Sequence, residues 1–373
     1  VLVCTFTNVA ADVMLTALLQ IGVQALRLGV PNDIELTQHS LGYAVKHHPE
    51  MQSKLDALRS IGQFMREAKQ RGLPRSEVYK IRAAFKHAKD DVQETRATVQ
   101  RSIVERADVI VATCIGSGDP LLDGLSFGTV VIDEASQASE PAALVPMLRC
   151  RGRCILVGDQ QQLAPMVCSS TAAQGGLSVS LFSRLVLTGL KPHRLELQYR
   201  MHPEIMEFIS ASFYDGRLRC HETVARDVPP VFDWPSKLPM AILDTGRLKG
   251  SREQSQEQSF INEAEARNVV SVLTKIMKTG HMKASEVGVL SPYRAQVRLL
   301  QKLLDESHLC RSIAVRTVDG FQGSEKELIL LSLVRQNPCG NLGFLRDWRR
   351  LNVAVSRARQ GILIFAAREM LRQ

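Results

Sequence analysis

No apolar run in this 373-residue chain approaches the roughly 20 residues that span a bilayer, so the stretch carries no helical membrane anchor. Its first residues, Val1-Leu2-Val3-Cys4-Thr5-Phe6, lack the basic stretch and small-residue cleavage site of a secretory leader. They also lack an initiator Met and already read as a core strand, so a fragment of a longer protein is expected. Aromatic residues make up only 5%, too few for recognition built on many stacked bases. The eight cysteines sit singly apart from Cys150 and Cys154, with no second pair at zinc-finger spacing. Buried thiols in a reducing compartment are the expectation. There is no fixed-period repeat and no low-complexity tract, which excludes solenoids and tail-like disorder.

What is present describes a folded α/β protein. Apolar residues make up 45%, and the length suits two ordinary domains. The net charge of +9 calls for an acidic partner, of which nucleic acid is the commonest. A strand fits 1–6, a helix 8–20 and a short strand 25–28. From about 40 to 106 the texture changes to charged, helix-periodic sequence with no strand-like run. Fourteen Lys and Arg face eight Asp and Glu between Leu41 and Arg106, which accounts for six of the nine excess positive charges. This predicts a helical insertion; a solvated hairpin with no partner reads equally well. Strands follow at 109–113, 130–133 and 155–158, with helices at 141–148 and 177–187.

A second series begins near residue 195. Strands fit 195–198, 241–243, 287–290, 313–316, 328–333 and 362–365. Helices fit 203–213, 262–279, 295–306 and 349–358, and 220–237 reads as an irregular surface loop. Strands alternating with helices predict parallel sheets covered on both faces. The domains expected are 1–190, with the insertion at about 40–106, and 191–373.

The chemistry gathers at strand ends. Val130-Val131-Ile132-Asp133-Glu134-Ala135-Ser136-Gln137 is a buried-strand pattern running into two adjacent acids. The first acid can hold Mg²⁺ through its water shell, and the second can take a proton from attacking water. Gly158-Asp159-Gln160-Gln161-Gln162-Leu163 delivers a glycine, an acid and three amides to a strand's carboxyl end, where open α/β sheets bind ligands. In the second domain, Gln198-Tyr199-Arg200-Met201-His202-Pro203 offers a ring for stacking and a cation. Asp319-Gly320-Phe321-Gln322-Gly323-Ser324-Glu325-Lys326 brackets a turn with Gly320 and Gly323, which permit close approach to a ligand. In Arg349-Arg350-Leu351-Asn352-Val353-Ala354-Val355-Ser356-Arg357-Ala358-Arg359, helical spacing predicts Arg350, Ala354 and Arg357 on one face. Asn352, Ser356 and Arg359 fall on another.

In this order, together with Cys4-Thr5-Phe6-Thr7-Asn8-Val9-Ala10 and Thr113-Cys114-Ile115-Gly116-Ser117-Gly118-Asp119-Pro120, these stretches resemble superfamily 1 helicases of the 5′-to-3′ class. Within it they look like the up-frameshift RNA helicases of nonsense-mediated mRNA decay. The resemblance covers about 1–30 and 108–373; the insertion matches in position and helical character alone. It implies two tandem RecA-like domains holding ATP and Mg²⁺ between them, with single-stranded RNA, or DNA as the alternative, across their top. Asp133 would orient Mg²⁺, Glu134 would be the general base, and Gln162 would sense the γ-phosphate. Arg200 and Arg357 would be arginine fingers. Tyr199 would stack on adenine, Glu325 would hold the ribose, and Gly323 would allow the nucleotide to approach. By motif position, Asn8, Thr113, Pro165, Arg294 and Thr317 would touch nucleic acid, although Thr113 and Thr317 read equally well as ordinary strand-end hydroxyls. A cytoplasmic protein with protein regulators and no membrane partner is implied, with the nucleus as the alternative compartment.

One departure stands out. The family's phosphate loop, G-x-x-x-x-G-K-[S/T], is not found in these residues. The motif at residue 4 would follow it, so the loop is expected upstream, and the stretch by itself should bind ATP poorly. The alternatives are a DNA helicase of the same superfamily, or a non-catalytic nucleic-acid-binding remnant.

Overall fold

The computed structural model describes every residue except 72, 225–226, 236–237 and 373. Part of the predicted loop at 220–237 therefore lies outside the described residues. The chain forms two compact units, one of residues 1–159 and 164–190, the other of residues 160–163 and 191–373. The stretch 160–163, counted above with the first domain, groups with the second.

In the first unit β1 (Leu2–Thr5) leads into α1 (Asn8–Gln20) and β2 (Ala25–Arg27). Three helices follow, α2 (Leu41–Lys46), α3 (Pro49–Gln70) and α4 (Arg75–Arg106). Then come β3 (Val109–Thr113), β4 (Phe127–Asp133), α5 (Glu140–Met147), β5 (Cys150–Leu156), the single turn α6 (Ser170–Ala172) and α7 (Leu181–Leu187). The sheet order is β2-β3-β1-β4-β5, with every pairing parallel. Side-chain alternation explains why both faces are covered. Leu2, Cys4, Ile110, Ala112, Val130 and Ile132 point to a core shared with the base of the insertion, through Leu41, Val45, Met51, Val92 and Val99. Val3 and Val111 point the other way, onto Ala11 and Leu15 of α1. All eight cysteines are free thiols; burial pushes the Cys114 thiol up to about 12 and raises Cys4 further, so both are inert. The helix predicted at 177–187 begins only at Leu181. Gly176 lies at φ +94°, and Ser180 caps the new start by accepting from Ser183 N at 3.0 Å.

The second unit runs β6 (Leu197–Gln198), α8 (Pro203–Phe213), β7 (Arg219–Cys220), β8 (Met240–Asp244), β9 (Gln254–Gln256) and β10 (Ser259–Ile261). It continues with α9 (Glu263–Lys278), β11 (Val287–Ser291), α10 (Arg294–Asp305), β12 (Ala314–Thr317), β13 (Lys326–Ser332), α11 (Trp348–Val355) and β14 (Ala358–Ala366). Its main sheet is β12-β11-β13-β14-β8, again all parallel. Two predicted elements are corrected here. The strand at 195–198 shrinks to two residues and pairs with β7 outside this sheet. The helix at 349–358 stops at Val355, because Ala358 is already paired with Lys326 as the first residue of β14. Arg357 therefore lies in a turn and Arg359 in a strand, and the two helical faces drawn above do not exist.

Two buried polar clusters brace this unit. Glu265 accepts from Thr245 Oγ1 at 2.8 Å, Ser332 Oγ at 2.6 Å and Val334 N at 2.8 Å. The last bond holds Val334, a β-branched residue, at φ +69°. Burial pushes the Glu265 carboxyl up from 4.5 to about 7, against those three donors. The folded state thus binds the proton more tightly than the unfolded chain. The resulting stability is complete below about pH 4.5 and is lost as pH rises through about 7. Urea unfolding should show roughly 3 kcal/mol less stability at pH 8 than at pH 5 from this group. Glu265→Gln should flatten that slope; an unchanged slope would assign it elsewhere.

In the second cluster Arg335 and Glu253 form a buried ion pair, with Nε and Oε2 3.0 Å apart and side chains 3% and 11% exposed. The guanidinium lies 4.3 Å from the centre of the Phe260 ring and donates through Nη2 to Asn341 O at 2.6 Å. Glu253 Oε2 also accepts from Gln336 N at 2.8 Å. Arg335→Ala would strand that carboxylate, and about 3–5 kcal/mol should be lost in urea unfolding. A loss below about 1 kcal/mol would mean that water replaces the guanidinium.

Candidate functional site

In the first unit three strand ends share one edge. Thr5, the last residue of β1, is in register with Thr113 of β3 on one side and Asp133 of β4 on the other. Val130 and Ile132 are fully buried, which fixes where β4 ends and holds Asp133 half-buried at the rim. Burial raises the Asp133 carboxyl above its ordinary value, countered by a backbone hydrogen bond from Glu134. Glu134 takes φ +54°, a left-handed backbone rarely adopted by a residue other than glycine. Such conformations cost on the order of 1 kcal/mol and persist where the surroundings over-determine them. The surroundings here are specific. Ala135 N donates to Val157 O at 2.8 Å, and Asp159 N to Ser136 Oγ at 3.2 Å. A Cβ on Gly158 would stand 2.8 Å from Ser136 N, so only glycine lets the end of β5 approach this turn. Gln137 Nε2 donates to Glu134 Oε2 at 2.6 Å and orients that carboxylate.

The same unit places the first two candidate nucleic-acid residues. Thr113 Oγ1 accepts from Gly116 N at 3.0 Å, which keeps its O–H available to donate. Asn8 is exposed at the start of α1; its Oδ1 accepts from Arg27 Nη2 at 2.8 Å, which fixes the amide with its NH₂ group as the remaining donor. Pro165 is buried.

In the second unit the predicted cations and their partners converge. Arg200 Nε donates to Glu325 Oε2, and Arg200 Nη1 to Ser356 O at 3.2 Å. Arg359 binds the other oxygen of Glu325 at 3.2 Å and reaches Glu327 at 3.3 Å. Arg357 is buried; its Nε donates to Val353 O at 3.1 Å and its Nη2 to Ser356 Oγ at 3.1 Å. Gly323 lies at φ +77°, as a ligand-approach turn needs. The Tyr199 ring is 60% exposed and lies 4.5 Å from that of His221, tilted by 32°. Thr317 Oγ1 accepts from Gly320 N at 3.1 Å, the same brace that Thr113 provides in the first unit. Arg294 is exposed at the first position of α10.

Gln162 sits in the stretch that groups with this unit. Leu163 joins the core of Met201, Ile205 and Val353. Gln160 O accepts from Arg349 Nε at 3.3 Å, and Gln161 O from Asn352 Nδ2 at 2.8 Å. Asn352 and Arg359, named above only as sharing a helical face, and Ser136 and Gly158, named only within their motifs, were given no role of their own, and His221 was not singled out from the sequence. The arginine-dense stretch could have yielded Asn352 and Arg359. Nothing in the local sequence marks His221 as a neighbour of Tyr199.

The residues fit a nucleotide and its metal. Among the described residues no three His, Cys, Asp or Glu gather as an all-protein metal cage. Mg²⁺ keeps several waters and takes one or two carboxylates, and Asp133, a desolvated carboxylate at a strand end, suits that role. The arginines around Glu325 suit phosphate oxygens.

Two family models, each described as an AAA domain, match residues 1–170 and 177–369. The chain is 37% identical over 390 residues to the regulator of nonsense transcripts 1 of Dictyostelium discoideum, covering 100% of this chain and 27% of that protein. It is 36% identical over 373 residues to the ATP-dependent helicase NAM7 of Saccharomyces cerevisiae, covering 98% of this chain and 36% of that one. The chain thus spans about a third or less of the length of these relatives. Among solved structures, an arterivirus nonstructural protein 10 (helicase) aligns with a TM-score of 0.45 and 14% identity, over 98% of this chain and 52% of that one.

Proposed function

This chain belongs to the AAA-domain family that includes the regulators of nonsense transcripts 1, and from that premise we propose that it forms the ATP-hydrolysing core of an RNA helicase. The activity belongs to the full-length protein. It couples ATP hydrolysis to movement along single-stranded RNA in the decay of aberrant mRNA, in the cytoplasm.

The acid pair at the end of β4 carries this reading. Glu134, held in a left-handed turn and oriented by Gln137, takes the proton of the attacking water. Asp133 would hold Mg²⁺, which when bound would neutralise phosphate charge. Gln162 is the γ-phosphate sensor, and Arg200 and Arg357 are the cations for the transferred phosphoryl group. Tyr199 offers its exposed ring to the base, and Glu325 its carboxylate to the ribose. Thr113 and Thr317 donate their hydroxyls to backbone phosphates, and Asn8 and Arg294 are further strand contacts. Pro165, being buried, serves by shaping its loop.

The test is strand binding and ATP hydrolysis by the full-length protein. RNA should stimulate hydrolysis and DNA less so, and ATP should change the affinity for RNA. No stimulation by either strand, or a marked ATP-insensitive preference for DNA, would overturn the reading.

A further inference from the structure

The strands β6 and β7 are two residues each and pair outside the main sheet. Neither is buried, so packing of the core does not account for them. Leu197 is in parallel register with Arg219, and Gln198 with Cys220. Arg219 N donates to Glu196 O at 2.7 Å, and His221 N to Gln198 O at 2.9 Å. This register brings the next two residues, Tyr199 and His221, off the pair side by side.

The Gln198 side chain closes the turn that follows. Its Oε1 accepts from Arg200 N at 2.8 Å and Met201 N at 2.7 Å. Its Nε2 donates to Met201 O and to Cys220 Sγ, each at 2.8 Å. One amide therefore ties the turn that bears Tyr199 and Arg200 to β7. His221 is fixed by the residues after it. Its Nδ1 accepts from Thr223 N at 3.3 Å, and Thr223 Oγ1 lies 2.8 Å from the same atom. The half-buried imidazole lies against the face of the Tyr199 ring, with centres 4.5 Å apart and a tilt of 32°. It covers one face of a ring that is still 60% exposed.

We infer that His221 is a positioning residue for the nucleotide: it backs the Tyr199 ring from one face and so holds the opposite face ready for the base. The inference rests on the reading of Tyr199 as the ring that stacks on adenine. A ring held in advance does not give up its rotamer freedom on binding, and one side chain ordered beforehand is typically worth roughly 3–10-fold in affinity. If His221 served only the turn at Thr223, the acceptor on Nδ1 would matter and the ring would not.

Steady-state ATP hydrolysis by the full-length protein with saturating RNA separates the two roles. His221→Asn removes the ring and keeps an acceptor for the N–H two residues on, as asparagine does in turns. His221→Phe keeps the ring and removes the acceptor. His221→Asn should raise KM for ATP roughly 3–10-fold with kcat within about twofold, and His221→Phe should stay within about twofold of wild type in both. Inorganic tripolyphosphate, a competitor with no base, should inhibit wild type and both variants equally, because Arg200 stays in place. A wild-type KM in His221→Asn would overturn the inference, as would a KM in His221→Phe raised as much or more. So would weaker inhibition by tripolyphosphate in His221→Asn, which would mean that the turn bearing Arg200 had shifted. Tyr199→Ala, measured alongside, tells two failures apart. A raised KM there with a wild-type KM in His221→Asn removes the role of His221 alone. A wild-type KM in Tyr199→Ala removes the stacking reading and the inference together.

Discussion

Arg200→Ala should lower nucleic-acid-stimulated ATP turnover of the full-length protein by about 10³-fold or more, the usual worth of an arginine aimed at a transferred phosphoryl group. Stability should barely change. The side chain is 33% exposed, and its pairing with Glu325 is a partly solvated bridge worth about 0–1 kcal/mol. Arg200→Lys should not restore turnover. A lysine can keep one charge contact but cannot bond Glu325 and Ser356 O while presenting a planar fork. Strand affinity without nucleotide should stay within about twofold, because phosphate-backbone contacts are separate from this group. Steady-state turnover with saturating RNA checks the point. Activity near that of wild type in Arg200→Ala would show that the Glu325 bridge is its whole role.

How far the sequence announced this arrangement depends on the range of the forces involved. Local pattern was enough for α1 and α8, whose bounds match those expected, and for β3. It was also enough for the end of β4, where buried β-branched residues stop at Asp133. Ordered motifs along the chain were enough to gather Arg200, Glu325 and Arg357 in one place. Long-range contacts were not legible. Nothing local tells that Gly158 must be small for the turn at Ser136, or that Arg335 finds Glu253 some eighty residues earlier. Helical periodicity was carried too far at α11, where pairing of Ala358 with Lys326 ends the helix and re-aims Arg357 and Arg359. The short strand at Leu197–Gln198 likewise depends on a partner, Arg219–Cys220, that propensity alone could not supply. The Thr113 and Thr317 hydroxyls keep both of their readings, since each braces a glycine turn and still has its O–H to donate.

The same range explains why the insertion was read by composition and only then by geometry. Its net charge and helical character were visible in the sequence; its packing onto the sheet through Leu41, Val45, Met51, Val92 and Val99 was not.

The acid pair remains the centre. Asp133 and Glu134 occupy one strand end but do different things: the first is half-buried with a raised pKa, the second is turned out of the strand by its own backbone and tethered by Gln137. If Glu134 is the general base, Glu134→Gln keeps shape and hydrogen bonding and removes only the proton acceptor. Loss of a positioned base typically costs about 10²–10⁴-fold. RNA-stimulated ATP hydrolysis by the full-length Glu134→Gln protein, measured beside its RNA affinity, is the direct test. Turnover at background with RNA binding intact is the expected result; turnover at the wild-type rate would contradict the assignment of the hydrolytic site to this strand end.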